Sequence, residues 1–284
     1  MRTLYKVSVP VSPDREEAVA ELLESVFGRS ACVETDLEAG TTRVSVFLEE
    51  PPSRAKLKSL LLRFTVRKLA PQNWAESWKR HFKPIEIGGK LLIIPSWSRR
   101  KPKAAQRVIV LDPGLSFGTG QHPTTRFCLE QIVAFRAEQR PQSFLDVGTG
   151  SGILAIAAAK LGYAPVRAVD FDPTAVRIAR ANATRNRIAD RLQVACKDVA
   201  AMKPGRQYDL ICANLLADLL LTQRDRLIGS LKPGGCLVLA GILKSQFRDI
   251  RVMYESAGLR LVAQAPQKEW KSGAFSRREN FSKK

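Results

Sequence analysis

A glycine-rich turn constrains this chain more than any other feature. Asp146-Val147-Gly148-Thr149-Gly150-Ser151-Gly152 sits where a buried apolar strand, residues 144–147, gives way to a helix-forming run, residues 152–161. Three glycines in five positions let the backbone reverse tightly, approach a ligand closely and aim helix N-terminal amides at it. The pattern then alternates. Strands are expected over 166–169, 192–196, 210–213 and 236–240, and helices over 174–186, 216–231 and 245–257. Such alternation specifies an α/β fold: a parallel sheet with helices on both faces, and ligands at the carboxyl ends of its strands.

The 284 residues exceed one minimal domain and suit a large domain joined to a small one. The N-terminus alternates and does not read as a signal peptide. The longest apolar run, residues 153–159, is far too short to span a bilayer, so no membrane association is expected. Five widely spaced cysteines, mostly inside apolar runs, read as reduced core thiols of a cytoplasmic protein. His81 and His122 are the only histidines and join no cysteine cluster, so no metal site is expected.

Charge is unevenly spread. The total is +19, yet residues 1–50 hold 5 basic and 10 acidic side chains, net −5, while residues 51–108 hold 15 and 2, net +13. An acidic head suits a basic partner, and a basic neck suits phosphates or is simply a solvated surface. The head is expected to be a small open-faced α+β sandwich of the ferredoxin-like kind. It begins with a strand in which Tyr5, Val7, Val9 and Val11 share one face. Its helix is capped by Ser12, with Pro13 in the first turn and Ala18, Leu22, Leu23, Val26 and Phe27 as the apolar stripe, ending at Gly28. Strands over 32–34 and 43–48 join through Glu38-Ala39-Gly40, and a helix from about Ser53 carries Leu57, Leu60, Leu61 and Phe64. The pattern is thus β-α-β-β-α. The expected domains are 1–68 for the sandwich, 69–83 for a basic helical linker and 84–284 for the α/β unit. Trp74 and Trp78, four apart in the linker, read as a staple between domains. Strand-like runs over 90–95 and 107–111 flank a polybasic loop, residues 98–103.

Spacing in the glycine turn separates two ligand classes. A dinucleotide site wants Gly-x-Gly-x-x-Gly, with a small residue where this chain has Ile153. Asp-x-Gly-x-Gly-x-Gly resembles the version found in S-adenosylmethionine (AdoMet) methyltransferases. Asp170 ends the second strand 22 residues after Gly148, where an acid can take both hydroxyls of a ribose. Asp172, directly before Pro173, suits a helix cap. Asp198, after the third strand, is a candidate for the adenine amino group or a surface turn residue. Asn214 ends the fourth strand, followed by Leu215-Leu216 and not by the Pro-Pro-Tyr of many nitrogen methyltransferases acting on amides or bases. That points to an amine nucleophile.

Before the sheet, residues 112–125 pack three glycines and two prolines into a shaped loop that reads as a lid, with Thr124 or Thr125 capping the next helix. Phe117-Gly118-Thr119-Gly120-Gln121-His122-Pro123-Thr124-Thr125 within it resembles PrmA, the ribosomal protein L-eleven methyltransferase family. So do residues 73–82, Pro95-Ser96-Trp97, residues 146–154, Ala213-Asn214-Leu215-Leu216 and Gly241-Ile242-Leu243. The resemblance implies a seven-stranded Rossmann-like AdoMet-dependent methyltransferase domain and an N-terminal substrate-recognition domain on a swinging linker. It implies cofactor contacts at Thr125, Gly148, Asp170 and Asn214, beside which Gly150 in the turn and Asp198 after the third strand stand as candidates from their positions. Asn214 would orient the amine and Phe117 would exclude water, with no dedicated general base. The implied partner is ribosomal protein L-eleven, free or on the large subunit; the charge of the basic linker suits ribosomal RNA contact, and with no sign of an obligate interface a monomer is expected. Competing readings are a lysine methyltransferase of another protein such as an electron-transfer flavoprotein, a ribosomal RNA methyltransferase, and a non-catalytic ribosome-binding factor.

Overall fold

The computed structural model of the chain describes residues 4–12, 15–29, 31–36, 41–60, 62–69, 83–112, 120, 122–137, 139–202 and 205–277. It divides into two compact units, Met1–His81 and Phe82–Lys284. The linker expected over 69–83, with Trp74 and Trp78, falls almost wholly outside the described residues, as does the 38–40 turn.

Among its described residues the first unit is a four-stranded antiparallel sheet carrying two helices. Its elements are β1 (Leu4–Val11), α1 (Glu16–Phe27), β2 (Cys32–Asp36), β3 (Thr41–Leu48), α2 (Arg54–Ser59) and β4 (Thr65–Leu69), in sheet order β2-β3-β1-β4. Val7 faces Val46 and Val9 faces Val44 across the central pair, and all four are buried against Val19, Leu23 and Phe27 of α1. This ferredoxin-like arrangement contains one strand more than the sequence pattern predicts. Strand β4 lies at the sheet edge with Val66, Arg67 and Lys68 exposed, so it carries no buried-face signal. Charged edges of this kind discourage pairing with other chains.

Two local expectations are corrected. Helix α1 starts at Glu16 with Arg15 as its N-cap, while the Ser12 carbonyl accepts the Arg15 amide at 2.9 Å in a preceding turn. Its buried stripe is Val19, Leu23 and Phe27, and Ala18 is exposed. Gly28 does end it, with φ +64° and its amide on the Glu24 carbonyl at 2.7 Å. Ser53 caps α2, its Oγ accepting from the Lys56 amide at 3.3 Å. That helix stops at Ser59, so Leu60 enters the core beyond it and Phe64 stays exposed.

In the second unit, β5 (Ile85–Ile87), β6 (Leu91–Ile94) and β7 (Arg107–Val110) form a small three-stranded sheet. Then follow α3 (Pro123–Phe135), β8 (Phe144–Val147), α4 (Ile153–Lys160), β9 (Val166–Asp170), α5 (Pro173–Arg185), β10 (Leu192–Cys196) and β11 (Tyr208–Asn214). The chain continues through α6 (Ala217–Thr222), α7 (Arg224–Gly229), β12 (Leu231–Ala240), α8 (Phe247–Ser256), β13 (Leu259–Gln267) and β14 (Trp270–Arg277). The main sheet has seven strands in the order β10-β9-β8-β11-β12-β14-β13. The first five are parallel, and the β13–β14 hairpin completes the sheet antiparallel.

Burial explains the element types. Every residue of β8 is buried, and so is every residue of α4 from Ile153 to Ala159, as expected for a strand and helix enclosed on all sides. The single helix expected over 216–231 is two, meeting at Gln223. β13 escapes the apolar pattern because every second residue faces out at the sheet edge. Cys128, Cys212 and Cys236 are core thiols, and burial pushes Cys236 up to about 12, which leaves it inert. Cys196 is exposed and Cys32 half-buried, contrary to the core expectation. Among the described residues no helix is long and apolar enough to cross a membrane, and no cluster of three or more His, Cys, Asp or Glu could hold a metal.

Candidate active site

The first parallel strand, β8, lies beside β11, where the chain's strand order reverses, so the connections leaving their carboxyl ends diverge and leave a crevice. The turn after β8 is built for close approach. Gly148, Gly150 and Gly152 have φ of +73°, +52° and +83°, a region that strains other residues. The Gly148 and Thr149 amides bond the Val169 carbonyl at 2.9 and 3.1 Å, which pins the turn to β9. A Cβ on Gly148 would lie 2.4 Å from Leu215 Cδ2, and one on Gly152 would lie 3.1 Å from Ala179 Cβ.

Two carboxylates hold this turn from below and beside. Asp146 is fully buried, its Oδ2 accepting from Thr149 Oγ1 at 2.7 Å and the Ala155 amide at 3.2 Å, while its Oδ1 has no partner. Burial, helped by Asp170, pushes its carboxyl up to about 7 against those two hydrogen bonds. Asp170 is 8% exposed; its Oδ2 accepts from the Gly150 amide at 2.8 Å and its Oδ1 from the Asp172 amide at 3.1 Å. A carboxylate offers about four lone-pair sites. One site on each Asp170 oxygen therefore remains for a pair of neighbouring hydroxyls. Asp172 caps α5 through the Thr174 amide at 2.7 Å. Asp198 is exposed and caps the turn at Val199–Ala201, its Oδ1 taking the Ala200 amide at 2.8 Å.

Asn214 ends β11 with its Oδ1 buried and without a hydrogen-bond partner. The backbone around it is tightly set. Gly241, with φ +81°, follows β12, and a Cβ there would lie 2.4 Å from the Leu215 carbonyl oxygen and 3.2 Å from Asn214 Oδ1. An unpaired buried amide oxygen costs roughly 1–3 kcal/mol, so it marks where a donor belongs.

The lid contributes less that is described. Residues 113–119 and 121, including Phe117, lie outside the described residues. Gly120 is buried with φ +82°, and its Cβ position meets Ile153 Cδ1 at 3.1 Å. His122, not a threonine, takes the N-cap position of α3. Its Nδ1 lies 2.7 Å from Thr124 Oγ1, its ring stands edge-on to Trp270 at 5.3 Å, and burial lowers its pKa against the pull of Glu269. Thr124 and Thr125 both turn inward, 1% exposed, and Thr125 Oγ1 has no partner.

Gly148, Asp170 and Asp198 line one crevice of about 250 Å³, with Phe171, Leu215 and Leu219 as apolar walls. Gly150 is tied to it through Asp170. Asn214 and Thr125 do not line it, although Asn214 is the residue before Leu215. Sequence inspection passed over Phe171, a 74% exposed aromatic at the strand end, whose only signal is its place between two aspartates. The set fits AdoMet. Gly148 leaves room only for backbone, Asp170 has acceptor sites for a ribose diol, and Phe171 and Leu219 offer apolar surface to a base. Asn214 Oδ1 is an acceptor awaiting a donor.

Comparison with known proteins agrees. The family model described as ribosomal protein L11 methyltransferase (PrmA) matches residues 41–278. A ribosomal protein L11 methyltransferase of Trichlorobacter lovleyi is 36% identical, over 95% of this chain and 96% of that one. One from Geobacter sulfurreducens is 42% identical, over 72% and 67%. The crystal structure of a ribosomal protein L11 methylase from Lactobacillus delbrueckii subsp. bulgaricus superposes with a TM-score of 0.63. It is 33% identical, covering 70% of this chain and all of that one. Matched by the family model over residues 41–278 and by a relative along 95% of its length, the chain belongs to the PrmA family of AdoMet-dependent methyltransferases.

Proposed function

We propose that this chain transfers methyl groups from AdoMet to amino groups of ribosomal protein L11, at lysine side chains or the N-terminal amine, as a monomer in the cytoplasm. The observation that carries the proposal is the buried, unpaired Asn214 Oδ1 at the carboxyl end of β11. It is a neutral acceptor, suited to hold an amine N–H and so direct the nitrogen lone pair.

Bound AdoMet would supply an electrophilic methyl on a sulfonium, whose sulfur would leave as the neutral thioether of S-adenosylhomocysteine when the nitrogen takes the methyl in line. The chain's residues then have separate tasks. Gly148 and Gly150 give backbone access, and Asp170 takes the ribose hydroxyls. Asp198 stands at the rim toward the base, and Thr125 Oγ1 offers a further polar contact. Asn214 orients the amine, while Phe117 in the lid excludes water. A lysine must first lose its proton, which costs about 4.6 kcal/mol at pH 7 from a reference pKa of 10.4. A dry pocket with a nearby positive charge favours the neutral amine, so no side chain needs to act as general base. Asp218, exposed in the first turn of α6, is not given that task.

The N-terminal unit is assigned substrate docking. Glu17 and Glu21 are exposed on α1 and present negative charge to a basic partner. The basic linker, residues 69–83, is assigned contact with ribosomal RNA. Incubation with labelled AdoMet, purified L11, the other ribosomal proteins and ribosomal RNA tests the proposal. Label is expected in L11, located by mass spectrometry on amino groups. Label in RNA, or none at all from a chain that binds AdoMet, would overturn it.

A further inference from the structure

A second cavity shares no lining residue with the crevice. It is a cleft of about 710 Å³ bordered by Lys90 and Arg107 of the small sheet, Lys160 at the end of α4, and Arg191 just before β10. No acidic side chain among the described residues lines it. Helix α4 runs away from the glycine turn, so Lys160 and Arg191 mark the amino ends of the parallel strands. The Ala164 amide bonded to the Gln142 carbonyl at 2.8 Å confirms that level.

Helix C-termini attract cations, which accounts for Lys160 and for Arg136, whose guanidinium bonds the Leu161 and Gly162 carbonyls at 2.9 and 3.2 Å. It does not account for Lys90, Arg107 and Arg191, which come from other elements. Arg107, Lys160, Arg187 and Arg191 have no carboxylate partner among the described residues. They lie close enough for Arg191, Arg107 and Arg187 to lower the Lys160 pKa, after burial. Like charges gathered around an open cleft repel one another, and an anion relieves that repulsion.

We propose that this cleft binds the phosphodiester backbone of a nucleic acid, with Arg107, Lys160 and Arg191 each facing a phosphate. A row of cations points to a polyanion. Beyond the cleft, Arg99 and Lys101 stand exposed on the 98–106 loop, which Arg100 and Lys103 anchor by pairing with Glu86. No aromatic ring lines the cleft, so backbone and not base stacking is read. The site is independent of methyl transfer, because none of its residues borders the AdoMet crevice.

Fluorescence anisotropy with labelled single-stranded RNA and DNA of about 12 nucleotides, at roughly 50 to 200 mM salt, tests it on the full chain. Combined Arg107→Gln, Lys160→Gln and Arg191→Gln should weaken binding about 10-fold or more. The slope of log affinity against log salt should fall by about 2, since each phosphate contact contributes roughly 0.7 for single strands. Lys244→Gln, Arg248→Gln and Arg260→Gln, at distant surface positions, should change affinity less than about twofold by the same count of lost contacts. Equal RNA and DNA binding, or preference for either, supports the cleft and assigns the source. Calorimetric AdoMet binding shows whether the triple variant is folded; if it is not, Arg107→Gln alone should lower the slope by about 0.7. The proposal fails if the cleft variant binds as the wild type or no more weakly than the distant variant. It fails also if pyrophosphate binds and oligonucleotides do not.

Discussion

The two ends of the main sheet carry opposite chemistry. At the carboxyl ends, Gly148 and the carboxylates of Asp170 and Asp198, with Lys197, line a crevice of about 250 Å³, and the unpaired Asn214 oxygen belongs to the residue before its Leu215 wall. At the amino ends, cations border a cleft of about 710 Å³ with no acid among its described residues. Both ends belong to the same strands, so the difference arises from the turns. Strand-to-helix turns at the carboxyl ends present free amides, which position the acids that grip a diol. Helix-to-strand turns at the amino ends present carbonyls, which gather cations. One end is shaped for a defined small molecule, and the other for a repeating charge.

Asn214→Ala strikes the crevice hardest. It should lower kcat for L11 methylation by about 100- to 1,000-fold, the range for losing one positioned polar group at a reacting centre. AdoMet affinity should stay within about threefold, less than one neutral hydrogen bond is worth. Asp218→Asn should leave kcat unchanged. Lost turnover in the Asp218 variant with AdoMet still bound would introduce a general base and break the account of this end.

Asp170→Ala comes next, weakening AdoMet by about 30-fold, roughly 2 kcal/mol for hydrogen bonds to a charged acceptor. Asp198→Ala, at the exposed rim, should cost no more than about 1 kcal/mol. Calorimetry that ranked Asp198 above Asp170 would relocate the ribose.

A further effect is on stability. Asp146 stands at about 7 when folded against 3.8 as a free side chain, so the folded chain holds its proton more tightly. The stability this contributes is present in full below about 3.8 and lost as pH rises through about 7. The Tm of the cofactor-free chain should therefore decline between about pH 5 and pH 8, and Asp146→Asn should flatten that decline. A parallel decline in both proteins would show that other groups set it.

What could be read in the residues follows the same division. The glycine turn and Asp170 were legible because a ligand gripped by backbone demands φ values that glycine supplies and an acid at a fixed strand end. The cap at Asp172 was legible from the proline behind it. The cap of α3 was misassigned because Thr124 and Thr125 are good capping residues in isolation, yet the core takes both and leaves His122 outside. Strands β4 and β13 were missed because edge strands bury too little to leave a pattern. The unpaired Asn214 oxygen depends on Gly241 packing beside it, 27 positions on, which local spacing cannot show. The basic cleft joins residues 90, 107, 160 and 191 through folding alone.

A crystal structure with S-adenosylhomocysteine bound tests the central claim most directly. The ribose hydroxyls should lie on Asp170, the methionyl group against the Gly148 turn, and the sulfur should face Asn214. A ligand lodged among Lys160 and Arg191, or a sulfur turned away from Asn214, would contradict the division of labour between the two ends of the sheet.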